Sequence, residues 1–485
     1  MLLFSIKSYS QNSEKIELIY AEKLKNGPVN SNYWLCTGDV LFSHNSTNMN
    51  CDYSHHYIKE NKMIAFGNIK INRGDTLTVL GNKLIYDGNS NIAHLSGNVL
   101  LRDNHTQLST KEIILDFNKN IAYYPSKGII TENDVKLSSL KGSYNTKSNY
   151  FYFKDNVEVV GPNYNVITDT LNYNSKTKTT FFIGPTFIYS NENTIYCENG
   201  WYNTLTDLSQ FKENAYLTNG EKKIMGDSLF YNRNTGYGKA MNNVIMLDTS
   251  SKICANGELA EYFEEEEKII IQEKTNLNIL IEKDTIFINS DKFIYCKKNT
   301  KYILAFNNVK TYNQDFQSIC DSMYYNISDS TIELFKDPII WTNDIQISSD
   351  SIKISLYKEK IDKMIFYPNP MIVYEADETY FNQIKGKLME AHFNNGELKK
   401  VNIIGNSESL FLIEEENGLD IGFNKAISSD ITMKMKSGEI YNLIYKKSPN
   451  SITIPIEKIE EENKMLEGFI WKIKEKPVDR KDIIQ

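Results

Sequence analysis

Apolar and polar residues alternate with period two along most of the chain, as in Val157-Glu158-Val159 and Val99-Leu100-Leu101-Arg102. That period points successive side chains to opposite faces of a strand. One apolar face and one mixed face is the pattern of antiparallel sheet wetted on one side. The alternation comes in two half-motifs that recur together in a unit of about thirty residues. One half places a small residue and an acid or amide before an apolar residue and an aromatic: Gly81-Asn82, Leu84, Tyr86; Thr168-Asp169, Leu171, Tyr173; Gly226-Asp227, Leu229, Tyr231; Ser290-Asp291, Phe293, Tyr295. The other places a small or polar residue plus Asn or Asp before an apolar pair: Gly67-Asn68-Ile69, Gly97-Asn98-Val99, Asp155-Asn156-Val157, Asn242-Asn243-Val244, Asn307-Asn308-Val309.

The spacing between halves is eleven residues from Tyr86 to Gly97, Phe117 to Gly128, Tyr144 to Asp155, Tyr173 to Gly184 and Tyr231 to Asn242. Between them lie clusters such as Asp87-Gly88-Asn89 and Asn174-Ser175-Lys176, whose residue types supply tight reversals. Each unit therefore reads as a β-hairpin. One hairpin cannot bury its apolar face alone, so hairpins stack. About thirteen units fit between Thr37 and Tyr445, with the copies more widely spaced after Asn242. The small-plus-Asn/Asp pair falls mid-strand, where a flat strand prefers β-branched or aromatic residues. It predicts a crease, with glycine permitting a bend or bulge and the short polar side chain satisfying exposed backbone groups. Creased strands stack into two sheets meeting along one edge, as a trough or flattened tube. The expected fold class is all-β: an elongated jellyroll of stacked antiparallel hairpins with bent strands.

The expected organisation is a leader remnant or frayed start at 1–16, the repeats at 17–447, and a tail at 448–485. The stretch Met1-Leu2-Leu3-Phe4-Ser5-Ile6 followed by Lys7-Ser8-Tyr9-Ser10-Gln11 looks like the back end of a secretory signal, and so suggests export. After Lys447 the rhythm stops. Pro455 to Leu466 reads as a short helix with proline in the first turn, followed by Gly468-Phe469-Ile470-Trp471 tucking onto the last rung as a cap for the open sheet edge.

Composition narrows the function. Apolar residues make up 41% and aromatics 12%, enough to build a core. A net charge of −8 leaves no electrostatic footprint for nucleic acid. No apolar run approaches the roughly 18 residues of a spanning helix. Cys51, Cys197 and Cys320 share the small-residue slot before an acid, which explains them as buried small residues, while Cys36, Cys254 and Cys296 share none. His55 and His56 are adjacent and point to opposite faces, and His44, His94, His105 and His392 are dispersed, so no metal-ligand spacing appears. Glu264-Glu265-Glu266-Glu267 reads as a solvated hairpin tip, and Gly236-Tyr237-Gly238-Lys239 has no helix after it to make a phosphate loop. The recurrent acid (Asp169, Asp227, Asp291, Asp321, Asp350) returns too regularly for catalysis, which needs one constellation, and fits an architectural part. The residues alone leave two readings open: an apolar groove, or a sealed solenoid core serving a structural or adhesive protein.

The Gly-Asn-Val element, preceded eleven residues earlier by Asp-x-Leu-x-Tyr and repeated from Glu17 to Tyr445, resembles the OstA/LptA-like family of lipopolysaccharide-transport proteins, in a long form. The resemblance implies a periplasmic, non-enzymatic jellyroll without cofactor. Its interior would shield lipopolysaccharide acyl chains, and its open ends would join further bridge proteins, or further copies of itself, by strand addition. The lining residues expected to present apolar surface to lipid are Ile69, Leu84, Tyr86, Val99, Leu101, Phe117, Val157, Val159, Leu171, Tyr173, Leu229, Tyr231, Val244, Tyr295 and Val309.

Overall fold

The computed structural model describes residues 15–483 apart from 75–76, 104–105, 133, 191–192, 282–283, 315, 359, 415–419 and 437. The leader-like stretch from Met1 to Gln11 and His105 lie outside the described residues. The chain divides after Gly220 into two compact units. Both are all-β and antiparallel.

In the first unit the strands Trp34–His44, Thr47–Tyr57, Lys62–Arg73, Leu77–Asp87, Ile92–Asp103 and Thr106–Asp116 form a meander in which each pairs with the next. Each is creased in the middle. Phe66 pairs with Lys83 and Ile69 with Gly81, so Gly67 and Asn68 face Asn82 alone, two residues against one. This is a β-bulge, and its two residues carry positive φ: 75° and 40° at Gly67-Asn68, 63° and 53° at Asp155-Asn156, 58° and 51° at Asn242-Asn243. Left-handed backbone is tolerated by glycine and, among the rest, best by Asn and Asp, which explains the composition of the motif. Glycine answers a second demand at Gly67, where an added Cβ would lie 2.2 Å from the Asp52 carboxylate.

The recurrent acid serves the same bulge. The left-handed asparagine donates its side-chain amide to the acid of the neighbouring strand, at 3.0 Å for Asn68 and Asp52, 3.0 Å for Asn243 and Asp227, and 3.3 Å for both Asn308–Asp291 and Asn369–Asp350. Backbone groups are served in fewer places, such as Gly405 N–H donating to Asp430 at 3.3 Å. The apparent widening of the repeat after Asn242 also has an explanation. Glu273-Lys274 adopts the same left-handed pair with residue types that carry no such signal, and Lys336-Asp337 keeps only its acid. The crease recurs on schedule while its composition lapses.

At the hairpin tips the opening Asn or Asp accepts the two following N–H groups, as Asp87 does from Asn89 and Ser90 and Asn174 from Lys176 and Thr177, both at about 3 Å. These are Asx turns, supplied by the polar clusters of the sequence. Some creases break the strand outright. Ile121–Tyr124 and Gly128–Glu132 are two short strands in place of one, as are Val135–Ser139 and Lys141–Asn145.

The second unit begins with the creased strands Lys222–Asn232, Tyr237–Asp248, Ile253–Phe263, Lys268–Ile281, Asp284–Cys296, Tyr302–Tyr312 and Gln317–Asn326. It continues through short half-strands and ends in the long pair Glu397–Glu414 and Asp420–Lys436. Two expectations for the tail need correction. Stacking does not stop at Lys447, since Asn450–Pro455 is a further strand paired with Asp420–Lys436. The helix expected over Pro455 to Leu466 is replaced by 3-10 turns at Ile456–Lys458 and Glu461–Asn463, with two more at Ile473–Glu475 and Arg480–Asp482. Four acids and a lysine between Glu457 and Glu462 leave too little apolar surface to stabilise an amphipathic helix. The tail also lies on a sheet face and does not cover an edge, as described below.

Candidate functional site

Folding every strand at its middle turns two half-sheets face to face. Register carries one apolar row along each wall of the first unit. Phe42, Met49, Ile71, Val79, Leu101, Leu108, Ile130, Leu137, Val159 and Val166 lie opposite one another on successive strands of one wall. Leu84, Leu95, Ile113, Tyr124, Gly142, Phe153, Leu171 and Phe182 do so on the other. Full burial of each large member contributes about 1.5–3 kcal/mol, so these rows hold the walls together.

The walls are not equally close along their length. From Trp34 to Phe117 the interior is sealed except where Leu101, Thr106 and Leu108 border the opening described next, with Phe42, Ile71, Val79, Leu84 and Tyr86 at 0% exposure. Between Ile121 and Phe151 several inward side chains are only half buried, among them Ala122, Ile130, Leu137, Tyr144 and Phe151. A cavity of about 220 Å³ opens there, lined by Leu101, Leu108, Ala122, Tyr124, Ile130, Tyr144, Phe151 and Phe153, with Thr106 and Glu132 among its polar edge groups. This opening is the candidate site.

Its position follows from the local sequence. Tyr124 needs glycine beside it, because a Cβ at Gly128 or Gly142 would fall 2.5 or 2.3 Å from its ring. The Tyr124 hydroxyl bonds to the Ser139 hydroxyl at 2.7 Å, and burial pushes its pKa up to about 12 against the lowering effect of that bond. Thr110 donates to the carbonyl of Lys127 at 3.2 Å and Ser139 to that of Lys141 at 2.9 Å, which ties down the backbone where the strands break. Small and polar residues on the crease rows thus leave room that Leu and Val fill elsewhere.

Of the predicted lining residues, Leu101 reaches this cavity. Val157, Val159 and Leu171 are buried on the neighbouring rungs, and Tyr173 is half buried. Ile69, Leu84, Tyr86, Val99 and Phe117 lie in the sealed section. There Tyr86 donates to Asn91 at 2.7 Å and meets the His44 ring nitrogen at 2.5 Å, while the Arg73 guanidinium lies 4.7 Å from the Phe117 ring. In the second unit Leu229, Val244, Tyr295 and Val309 are buried inward, but Tyr231 is half exposed and donates to Glu264 at 2.6 Å. Tyr295 donates to Asp248, which is ion-paired with Lys297. These tyrosine hydroxyls close hairpin tips. Sequence reading missed Leu108, Tyr124, Ile130, Phe151 and Phe153. Their period-two parity was visible, but the broken crease hid which rungs stand apart. All six cysteines are free thiols, and burial pushes Cys51, Cys197 and Cys320 up to about 12.

The matched family model is that of OstA-like proteins, over residues 13–169 and 162–225. Over these residues the chain is similar to OstA-like proteins. The matched range ends at residue 225, beyond which the same left-handed bulges and acid-to-asparagine bonds continue to Asn369 and Gly405. No curated protein matches the chain. The OstA-like match points to a lipid-transport-related role at the level of that family.

Proposed function

We propose that this OstA-like protein is a non-enzymatic periplasmic carrier whose apolar interior shields lipopolysaccharide acyl chains on their way to the outer membrane. The observation that carries the reading is the pair of continuous inward rows parting into an apolar cavity between Leu101 and Phe153. Acyl chains need continuous apolar length without strong polar stops, and the rows provide it. Edge strands support assembly with other bridge proteins or further copies. Among the described residues, Glu17–Tyr20 and Lys23–Asn26 pair only with Trp34–His44, and Glu439–Lys446 and Asn450–Pro455 only with Asp420–Lys436. Unpaired strand edges are templates for strand addition.

In-cell photo-crosslinking tests the reading. A probe at Phe151 should give a lipopolysaccharide adduct and one at the outward Tyr152 should not, and Ile130→Glu should abolish the adduct while the protein still accumulates. The sealed section from Trp34 to Phe117 favours a second reading, a structural solenoid with no lipid ligand. Absence of adduct at Phe151 and Ile130 in correctly folded protein would establish that one instead.

A further inference from the structure

In the second unit the half-sheet strands Ile339–Thr342, Ile345–Ser348, Met371–Glu375 and Phe381–Lys385 are buried on both faces. Their inward row is Ile340, Ile347, Ile372 and Ile384. The opposite face presents Trp341, Gln346, Val373, Gln383 and Leu410, in register across five strands and all at 0% exposure. What covers them is the C-terminal tail.

The manner of covering is specific. Gln383 donates its amide to the carbonyl of Lys464 at 2.9 Å and accepts the N–H of Leu466 at 2.7 Å. Gln346 repeats the arrangement two strands away, donating to the carbonyl of Ile470 at 2.6 Å and accepting the N–H of Lys472 at 2.8 Å. Each glutamine therefore reads the carbonyl of residue n and the N–H of residue n+2, the pair that an extended peptide offers along one edge. Trp341 Nε1–H donates to the Gln346 side-chain oxygen at 3.2 Å and fixes its orientation. Between the two reading points the tail turns at Leu466-Glu467-Gly468-Phe469, closed by Phe469 N–H to Leu466 carbonyl at 3.0 Å, with Gly468 at φ 86°. A positive φ at the third position is the glycine requirement of a type II turn. Leu466 packs into the cluster of Met371, Val373, Leu410 and Phe423, and the Phe469 and Trp471 rings both lie 5.2 Å from Phe381. A buried glutamine left without partners on an apolar face would be costly, so this face is built to be occupied.

We propose that this face is a peptide-docking groove for a segment of the form Leu-x-Gly-Phe-x-Trp, filled in cis by residues 464–472, and that a second copy's tail fills it in trans when the tethered segment leaves. The two glutamines read backbone and the pockets read three side chains. None of these contacts depends on the tether. In the connecting segment Ile459 packs into the same cluster, while the 3-10 turns at Ile456–Lys458 and Glu461–Asn463 contain no buried residue, so Ile459 and the partly buried Ile456 are the link's apolar anchors. Every copy carries both groove and segment, which makes the opened form complementary to another copy, the condition for exchange.

The test mixes two full-length variants. One has a disabled groove, Gln346→Leu with Gln383→Leu; the other has a disabled tail, Leu466→Ala with Trp471→Ala. By analytical ultracentrifugation the mixture should form a mixed species at low micromolar concentration beyond anything either variant forms alone. Near-equal distributions for mixture and separate variants, both unfolding cooperatively, would overturn the proposal. A labelled synthetic peptide of residues 460–483 guards against a misfolded groove variant. It should bind the tail-disabled chain at least tenfold more tightly than the intact chain, whose tethered tail competes. Equal affinity for the two, or no saturable binding to the tail-disabled chain, would also overturn it.

Discussion

The outward faces of the two units, built from the same creased hairpin, have opposite fates. In the first unit the outward row Ile167, Phe187, Tyr196 and Tyr216 runs across neighbouring strands, with rings 4.9 and 5.3 Å apart; Ile167 is exposed and the three rings stay half buried. In the second the corresponding kind of face is roofed by the tail and holds Trp341, Gln346 and Gln383 at 0% exposure. The difference is written as a change of period. Strands with one wet face alternate, whereas Ile339-Ile340-Trp341 and Met371-Ile372-Val373 are unbroken apolar runs, the pattern of strands covered on both sides. A second contrast lies at the tips. Tyr86 bonds a neutral amide, Asn91, while Tyr295 bonds the carboxylate of Asp248.

Breaking the roofed face should have the largest effect. Trp341→Ala removes a fully buried ring and the partner that orients Gln346, and should lower stability by about 3–5 kcal/mol in chemical denaturation. If the loss were no greater than for Phe187→Ala in the first unit, the two faces would be energetically alike and the contrast would collapse. Next comes the charged tip. Asp248→Asn leaves Lys297 unpaired at a nearly buried site and should cost about 3 kcal/mol at pH 7. Burial raises the Asp248 pKa, but Lys297, Ser250 and Ser251 together hold the carboxyl well below the ordinary range. A depressed folded-state pKa stabilises above the ordinary carboxylate range, and that stability is lost as pH falls toward the depressed value. The gap between wild type and Asp248→Asn should therefore be full at neutral pH and shrink below about pH 4. Asn91→Ala at the neutral tip should show a gap with no such acid dependence, which urea titrations at pH 7 and pH 3 would resolve.

A smaller effect is expected at the crease. Gly67→Ala forces a Cβ onto left-handed backbone and against Asp52, and should cost about 1–2 kcal/mol, read as a shift of the denaturation midpoint. The smallest is the outward aromatic row of the first unit, where Tyr216→Ser should change stability by about 1 kcal/mol or less. A larger loss there would mean that this face also carries a stabilising cover.

The hairpin repeat and its crease were legible because each is a local demand. A left-handed pair selects Gly, Asn and Asp, and a strand wet on one side selects alternation. Where that demand is met by poor residue types, as at Glu273-Lys274, the signal vanished although the left-handed pair remained, and at Lys336-Asp337 only the acid was left of it. Most of the residues expected to line the interior are buried in the structure, and Leu101, Val157, Val159 and Leu171 lie at or near the opening. Tyr86 and Tyr295 are inward as well, but their hydroxyls are committed to hairpin tips by Asn91 and Asp248, partners that no period could reveal.

The sequence by itself determined the strand period, the bulge at each mid-strand and the turns, because these depend on φ preferences and hydrogen bonds within a few residues. Only the tertiary structure decided how far apart the two walls stand. That depends on which side chains face one another across the interior from rungs remote in sequence, as Leu101 and Phe153 do in lining one cavity. Tertiary structure also decided where the tail lies. Gln346 meets Ile470 and Lys472, and Gln383 meets Lys464 and Leu466, across eighty or more intervening residues, a separation that local propensity cannot read.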